Sequence, residues 1–495
     1  MHQSFAKAVS SSPDRVALVD DERQLTYREL ARIVEAVAAK LLELGIRPGD
    51  RMMIVSENCV ALAVLLFAAS TIDAWSIVAN PRLSARELDL ISEHSGTRRV
   101  FIGSGVSEHA AAHARRLGAS LAELPSLEGV SVTDLRAQVE PESVSASRSE
   151  QVAVLVYTSG TTGTPKGVML THENVLFSAK AIAQAREFCS GDLVYLVLPV
   201  SHIAGMAVLL MTMMTGGTAR LAHRYDPSEL ADAISVEGIS VVYGVPATYQ
   251  RLLEYADSTG RPLVRNRLRA LAVVGAPMDP SLKARVRERI GLNLLNGYGI
   301  TECSPGISGS RMNVSDDDLS VGPLLPGIEA KIVSKDRTML PEGEVGELHV
   351  RGRYVMKGYY RAPELTAQVV DPEGWFNTGD LAFFRGGDLF IAGRTKEMII
   401  RSGFNVYPAE VEAVLNSHDA VLQSAVVGRP VDGNEEVVAF VQLVQGATAT
   451  AADILAHAGS QLTAYKRPAK VIVLPEFPVS STGKILKRKL ADSLL

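Results

Sequence analysis

Apolar and polar positions along this chain follow two periods, and their alternation predicts a sheet covered by helices. Residues 26–44 are apolar at helical spacing and run into a stop at Gly45 and Pro48-Gly49. A short strand is predicted over 51–55, an apolar helix over 60–70 and another strand over 99–102. The strongest strand is 152–157, preceded by a polar, serine-rich connection over 140–151. Between Leu193 and Ala219 there is no Asp, Glu, Lys or Arg, and about 20 such residues suffice to cross a bilayer. Pro199, Ser201, His202, Gly205, Gly216 and Gly217 interrupt that run, so it reads as a buried strand (193–198), a turn and a core helix (206–214) rather than a membrane span. Residues 322–391 are glycine-punctuated and β-rich, and a shift near Gly393 opens a β-α-β-β-α-like stretch with strands at 422–427 and 437–443. That last segment, about one hundred residues, is long enough for a small separate domain. No repeat of solenoid or propeller period is visible.

Composition narrows the function class. The 495 residues are 47% hydrophobic and 21% charged with a net charge of −5, ordinary for a globular protein with an ample core. No block of Lys and Arg gathers on a predicted element, so neither nucleic acid nor an anionic membrane is attracted at long range, and any phosphate binding must be local. Cys59, Cys189 and Cys303 are odd in number and far apart, which suggests neither a disulfide framework nor a zinc site and fits a reducing cytoplasm. The first residues carry no apolar signal-peptide segment. His109 and His113 stand at i, i+4 on an alanine-rich helix, but no acidic partner completes a metalloprotease pattern. Gly103 and Gly105 imitate a dinucleotide loop whose third glycine is replaced by Glu108.

The richest chemistry follows the strongest strand. Positions 158–168 hold three glycines (Gly160, Gly163, Gly167), five hydroxyl side chains (Thr158, Ser159, Thr161, Thr162, Thr164) and Lys166. Glycines allow backbone N–H groups to point into an anion-binding concavity, hydroxyls add donors and the lysine adds charge, a design that suits a polyphosphate. It differs from the common P-loop because Pro165 stands where that pattern requires glycine. A flexible Gly/Thr/Ser surface loop would share the composition, but not the coincidence of strand, glycine spacing and lysine.

The run at 157–168 resembles the signature of the adenylate-forming superfamily, which includes acyl-CoA synthetases, coumarate-CoA and benzoate-CoA ligases, luciferases and peptide-synthetase adenylation domains. Six further motifs occur in the order of that family: SHIAG at 201–205, GAP at 275–277, NGYGITE at 296–302, NTGD at 377–380, GRTKE at 393–397 and STGK at 481–484. The resemblance implies an α/β protein with a large multi-subdomain N-terminal domain (helix-covered sheets plus a β-rich subdomain) over 1–393. A hinge at 394–397 and a small, mobile α+β C-terminal domain over 398–495 complete it. It implies an ATP-dependent, AMP-forming carboxylic acid–CoA ligase in which the acid attacks the α-phosphorus of ATP and the acyl group then passes to a thiol. ATP, Mg2+ and CoA are the implied cofactor and co-substrates.

By the same resemblance, Thr158, Ser159, Gly160, Thr161, Thr162, Gly163 and Lys166 hold phosphates. Gly275, Ala276 and Pro277 border the adenine, Tyr298 stacks on it, and Asn296, Gly297 and Gly299 complete that wall. Thr301 meets the α-phosphate, Glu302 binds Mg2+, Asp380 accepts the ribose hydroxyls and Arg394 lies beside them. Lys484 is the catalytic lysine, His202 faces the acid, and Lys396 is the hinge. Ser402, Gly403 and Phe404 line the thiol tunnel, with Arg401 or Lys466 on CoA phosphates. The acyl wall is Ala204, Gly205, Met206, Val208, Tyr243, Gly297, Gly299, Cys303 and Gly306, mostly small or apolar, which suggests a roomy slot for a fatty, aryl or related acid. No Asp stands within 200–205, and an ammonium buried without counter-charge is costly, so α-amino acids are disfavoured. Two alternatives stand beside the CoA ligase: an adenylating enzyme that loads a carrier-protein phosphopantetheine, and an inactive nucleotide-binding homologue. The expected partners are small molecules in the cytoplasm, with no nucleic acid and no membrane span; a homodimer is the assembly entertained.

Overall fold

The computed structural model describes residues 1–158, 166–276, 278–315, 319–402, 404–431, 434–444, 446–479 and 485–494. Two eight-stranded sheets form the bulk of the chain. In the first, the central parallel strands Thr218–Leu221, Leu193–Leu196, Val241–Gly244, Ala270–Val273 and Leu294–Gly299 lie side by side, and Gly306–Gly309 adds an antiparallel edge. In the second, Thr97–Ile102, Arg51–Val55, Trp75–Ala79 and Val152–Thr158 run parallel, then Lys166–Thr171 and Gly358–Tyr359 close that side antiparallel. Parallel strands covered on both faces read as continuous apolar runs, and every residue of Arg51–Val55 is buried. Arg51 keeps its place there by donating to the carbonyls of Ser95, Gly49 and Glu140 at 2.9, 3.1 and 2.9 Å.

Helices Val60–Thr71 and Ile203–Thr215 are apolar around their circumference and are buried in the main core, the expected place for a helix without a polar face. The charge-free run is thus two strands joined by a buried helix, and among the described residues no helix is long and apolar enough to cross a membrane. Tyr27–Glu43 and Ala85–Ser95 begin with capping boxes, Thr26 with Glu29 and Ser84 with Glu87, each satisfying otherwise orphaned N–H donors.

The β-rich stretch is a four-stranded antiparallel sheet in the order Glu329–Val333, Gly346–Arg351, Phe376–Arg385, Asp388–Arg394. Beyond it lie the hairpin Ile399–Arg401/Phe404–Val406 and a three-stranded sheet, Val421–Val431, Asn434–Leu443 and Lys470–Val473, with helices Pro408–Asn416 and Ala451–Gln461. The leading β of the β-α-β-β-α-like expectation, given no bounds there, falls at this hairpin; the last strand is absent from that expectation, being only four residues long and paired across a helix with Asn434–Leu443. A short basic helix begins at Lys487, after Ile485, which bridges Val479.

Candidate active site

The phosphate-loop residues Ser159, Gly160, Thr161, Thr162 and Gly163 lie outside the described residues, but both ends of their loop are fixed. Thr158 and Lys166 are register partners across the antiparallel pair that the loop connects. Tyr157 meets His94 Nδ1 through its hydroxyl at 2.8 Å. The Lys166 ammonium stands 5.3 Å from the ring centroid of Tyr359, and the Tyr359 hydroxyl donates to Glu302 Oε1 at 2.8 Å. Glu302 belongs to the 3-10 turn Thr301–Cys303 after the strand Leu294–Gly299, and its carbonyl accepts from Met356 N at 2.8 Å. A cation at the base of a glycine-rich loop and a carboxylate therefore meet at one phenol ring, the three side chains coming from three distant stretches of sequence. Tyr359 is a site residue that sequence reasoning missed; its signal, Gly358-Tyr359-Tyr360, is too short to stand out. Burial pushes its hydroxyl well up and Glu302 pushes it further, so the phenol stays a neutral donor to a charged acceptor.

A second cluster adjoins on the same strand. The Tyr298 hydroxyl donates to Asp380 Oδ2, and Arg394 Nε lies 3.2 Å from Asp380 Oδ1; Asp380 and Arg394 are register partners. Asp380 is 4% exposed. Burial raises the Tyr298 hydroxyl well above its ordinary value and Asp380 adds to this. Each carboxylate oxygen can accept more than one donor, so Asp380 retains capacity for a diol. Gly275 has φ +80°, a Cβ there would meet nothing within 4 Å, and Ala276 beside it is half-buried, so the backbone borders open space as a purine edge needs. Pro277 lies outside the described residues. Asn296 is spent on the fold: its Nδ2 donates to Ser320 O at 3.1 Å and its Oδ1 accepts from Gly297 N. Gly299 lets the chain pass Pro305, whose carbonyl would stand 2.1 Å from a Cβ. Thr301 is buried.

His202 is the N-cap of Ile203–Thr215, its Nδ1 accepting from Ala204 N at 3.2 Å. Ala204 is half-buried, while Gly205, Met206, Val208 and Cys303 are buried. A Cβ on Gly205 would stand 2.2 Å from Pro199 O, so this glycine serves helix packing. A Cβ on Gly306 would press on Leu325 and Ile182 at 2.8 and 2.9 Å. Burial drives the Cys303 thiol well up, which keeps it neutral. Arg186, 4% exposed, projects beside Gly297 and Tyr243, so the surroundings of these two residues are not uniformly apolar.

In the C-terminal part, Lys484 and Gly403 lie outside the described residues. The segment carrying Lys484 is closed by the Val479–Ile485 bridge and by Leu486 N donating to Pro478 O at 2.8 Å. Lys487, in this basic stretch, is half-buried between Glu412 at 2.7 Å and Glu397 at 3.6 Å. Burial pulls its ammonium down, but the two carboxylates outweigh that and leave it raised. Lys396 and Ser402 are exposed. Phe404, 55% exposed, stacks on Tyr465 at 4.8 Å, beside Arg401, which donates to Arg467 O at 2.7 Å, and Lys466, paired with Glu410. His113 donates Nε2–H toward the carbonyls of Pro81 and Leu83, each at 3.1 Å.

Comparison with known proteins agrees with this geometry. Residues 5–360 match the AMP-binding enzyme family and residues 410–484 match the AMP-binding enzyme C-terminal domain. A feruloyl-CoA synthase of Amycolatopsis sp. is 35% identical over 480 residues, covering 96% of this chain and 95% of the relative. The amide bond synthetase McbA from Marinactinospora thermotolerans superposes with a TM-score of 0.86 at 28% identity, covering 100% of both chains. The O-succinylbenzoate coenzyme A synthetase MenE from Bacillus subtilis, solved in complex with ATP and magnesium ion, gives a TM-score of 0.83 at 28% identity over 99% of each chain. With both domain types present in order and relatives spanning its length, the chain belongs to the AMP-binding enzyme family.

Proposed function

We propose that the chain is an ATP-dependent, AMP-forming carboxylic acid–CoA ligase acting on an apolar or aryl acid. The observation that carries the reading is the meeting of Lys166 and Glu302 at the Tyr359 ring, alongside Tyr298, Asp380 and Arg394. Bringing a carboxylate to a triphosphate requires positioning and charge neutralisation more than covalent help. Lys166 and the N–H groups of residues 159–163 would hold the β- and γ-phosphates, Tyr298 would lie against adenine, and Asp380 would accept the ribose hydroxyls.

Glu302 fits a hard divalent cation, since Mg2+ is commonly bound by one or two carboxylates together with phosphate oxygens. When bound, Mg2+ would neutralise charge on the departing phosphates. Lys484 would balance charge between the acid and the α-phosphate while the acid oxygen forms its bond to phosphorus and pyrophosphate leaves. The thiol sulfur of CoA would then attack the acyl carbon, lose its proton and expel AMP. His202, at the mouth of the acyl slot, would orient the carboxylate.

The division into 1–393, a hinge at 394–397 and 398–495 supplies the motion this sequence needs, because Lys484 and a long thiol cannot occupy one place together. The exposed Phe404–Tyr465 pair with Ser402, Arg401 and Lys466 would then present an aromatic and basic face to CoA. Pyrophosphate release is the test, run with ATP, Mg2+ and a panel of acids, with CoA, a carrier-protein phosphopantetheine, an amine or no acceptor. CoA-stimulated turnover giving acyl-CoA is expected. AMP never appearing from ATP with any acid would end the reading, and acyl transfer only to another acceptor would reassign the thiol step.

A further inference from the structure

Arg186 is a buried cation for which no motif accounts. It follows the helix His172–Ala185 and is 4% exposed. Its guanidinium donates through Nη1 to Ser310 O and through Nη2 to Asn296 O, the second at 2.6 Å. Two carbonyls do not exhaust five N–H donors, and among the described residues no carboxylate pairs with it. Arg51 is a useful contrast, since its donors are taken up by three carbonyls within the packing of one sheet edge.

The surroundings of Arg186 face the acyl slot. Its Nη2 lies 3.7 Å from where a Cβ of Gly297 would stand and 3.1 Å from that of Gly309, so two glycines leave the guanidinium uncovered by side chains on that side. Tyr243, 5% exposed, comes from the neighbouring part of the same sheet. Its hydroxyl lies against the Arg186 guanidinium. A buried guanidinium is costly unless its remaining donors are also met. Ile182, one helical turn before Arg186, and Leu325 supply apolar side walls against Gly306. The arrangement is a slot with apolar flanks and a cationic, hydrogen-bonding end.

We propose that Arg186 and Tyr243 form the polar end of the acyl slot and select an acid bearing an oxygen acceptor remote from the carboxyl that is activated. A ring hydroxyl and a second carboxylate share that chemistry. The inference rests on the ligase reading above and specifies its substrate class. An apolar isostere would leave donors of the buried guanidinium unpaired, and sites built for a hydrogen bond discriminate strongly against such analogues.

The test uses the full-length enzyme with ATP and Mg2+ and compares kcat/KM for pyrophosphate release on three acids of similar shape: 4-hydroxycinnamate, 4-carboxycinnamate and 4-methylcinnamate. One of the oxygenated acids is expected to exceed the methyl acid by at least about tenfold, and the better of the two identifies the oxygen. The ratio is expected to fall at least about fivefold in Tyr243→Phe, further in Arg186→Met, and to be partly retained in Arg186→Lys. Because Arg186 also holds two backbone carbonyls, Tyr243→Phe, which keeps the ring, carries the decision should Arg186→Met not fold. A methyl acid used as well as the oxygenated ones overturns the inference and leaves the ligase standing, as does a ratio unchanged in folded Tyr243→Phe. No pyrophosphate from any acid overturns the ligase reading, and this inference falls with it.

Discussion

Tyr359→Phe isolates one contact at the heart of the site. The substitution removes the hydroxyl that donates to Glu302 Oε1 at 2.8 Å and keeps the ring under Lys166, 5.3 Å from the ammonium. A hydrogen bond to a charged acceptor contributes about 1.5–3 kcal/mol. Glu302 is only partly buried, so the lower figure applies, and about 1.5 kcal/mol is about tenfold in rate. We expect kcat/KM for pyrophosphate release to fall about tenfold, with more Mg2+ needed for half-maximal rate, because the carboxylate loses the contact that aims it. Tyr359→Leu also removes the ring, and loss of the cation–π contact with the half-buried Lys166, about 0.5–1 kcal/mol, adds a further loss of about two- to fivefold. The assay is continuous pyrophosphate detection across a Mg2+ titration, with thermal melts to establish that each variant is folded. A Tyr359→Phe enzyme within twofold of wild type, with the same Mg2+ dependence, would show that Glu302 is positioned by something else.

The remaining expectations concern the other domain and the stability of the fold. Lys484→Ala is expected to abolish adenylate formation while largely sparing thioester formation from supplied acyl-adenylate; equal loss of both half-reactions would remove it from the first step. Lys396→Pro should adenylate yet fail to transfer, because proline fixes φ and restricts Thr395 before it; normal overall turnover would count against a hinge there. Asp192, whose side chain is 2% exposed, accepts from Arg269 at 2.8 and 2.7 Å and from Ser240 at 2.8 Å. Burial pushes its carboxyl up, but the bonds from Arg269, Cys189 and Ser240 outweigh that and hold it below its ordinary value. A depressed folded-state pKa gives stability that is present above the unfolded value and lost as pH falls through the folded one. Asp192→Asn should therefore cost about 3 kcal/mol at neutral pH. That deficit should shrink as pH falls below about 3.9, and a pH-independent deficit in chemical denaturation would contradict the linkage.

Where apolar runs were long, the sequence placed elements closely: the strand Arg51–Val55 and the helices Val60–Thr71 and Tyr27–Glu43 lie where their patterning put them, within a residue or so. The short strand Lys470–Val473 did not show, because four residues carry too little pattern. Lys487 illustrates a different limit. Next to Arg488 and Lys489 it reads as one more solvated charge, and only the approach of Glu412 from a helix some seventy residues earlier and of Glu397 from beyond the four-stranded sheet makes it part of a half-buried ion pair.

What the sequence determined by itself was chemistry that is local along the chain: a glycine- and hydroxyl-rich loop with its lysine after a buried strand, and six short motifs in order. These act through backbone freedom and residue type within a few positions, which a linear string contains. Tertiary structure alone decided which distant side chains share a space, bringing Tyr359 to Glu302 and Lys166, Tyr298 to Asp380, and Arg186 to Gly297 and Tyr243. The physical reason is that burial and pairing depend on sheet register and on what packs across it. An arginine in sequence is a surface charge by default, and Arg186 becomes a buried donor only because two glycines and a phenol from other strands close around it.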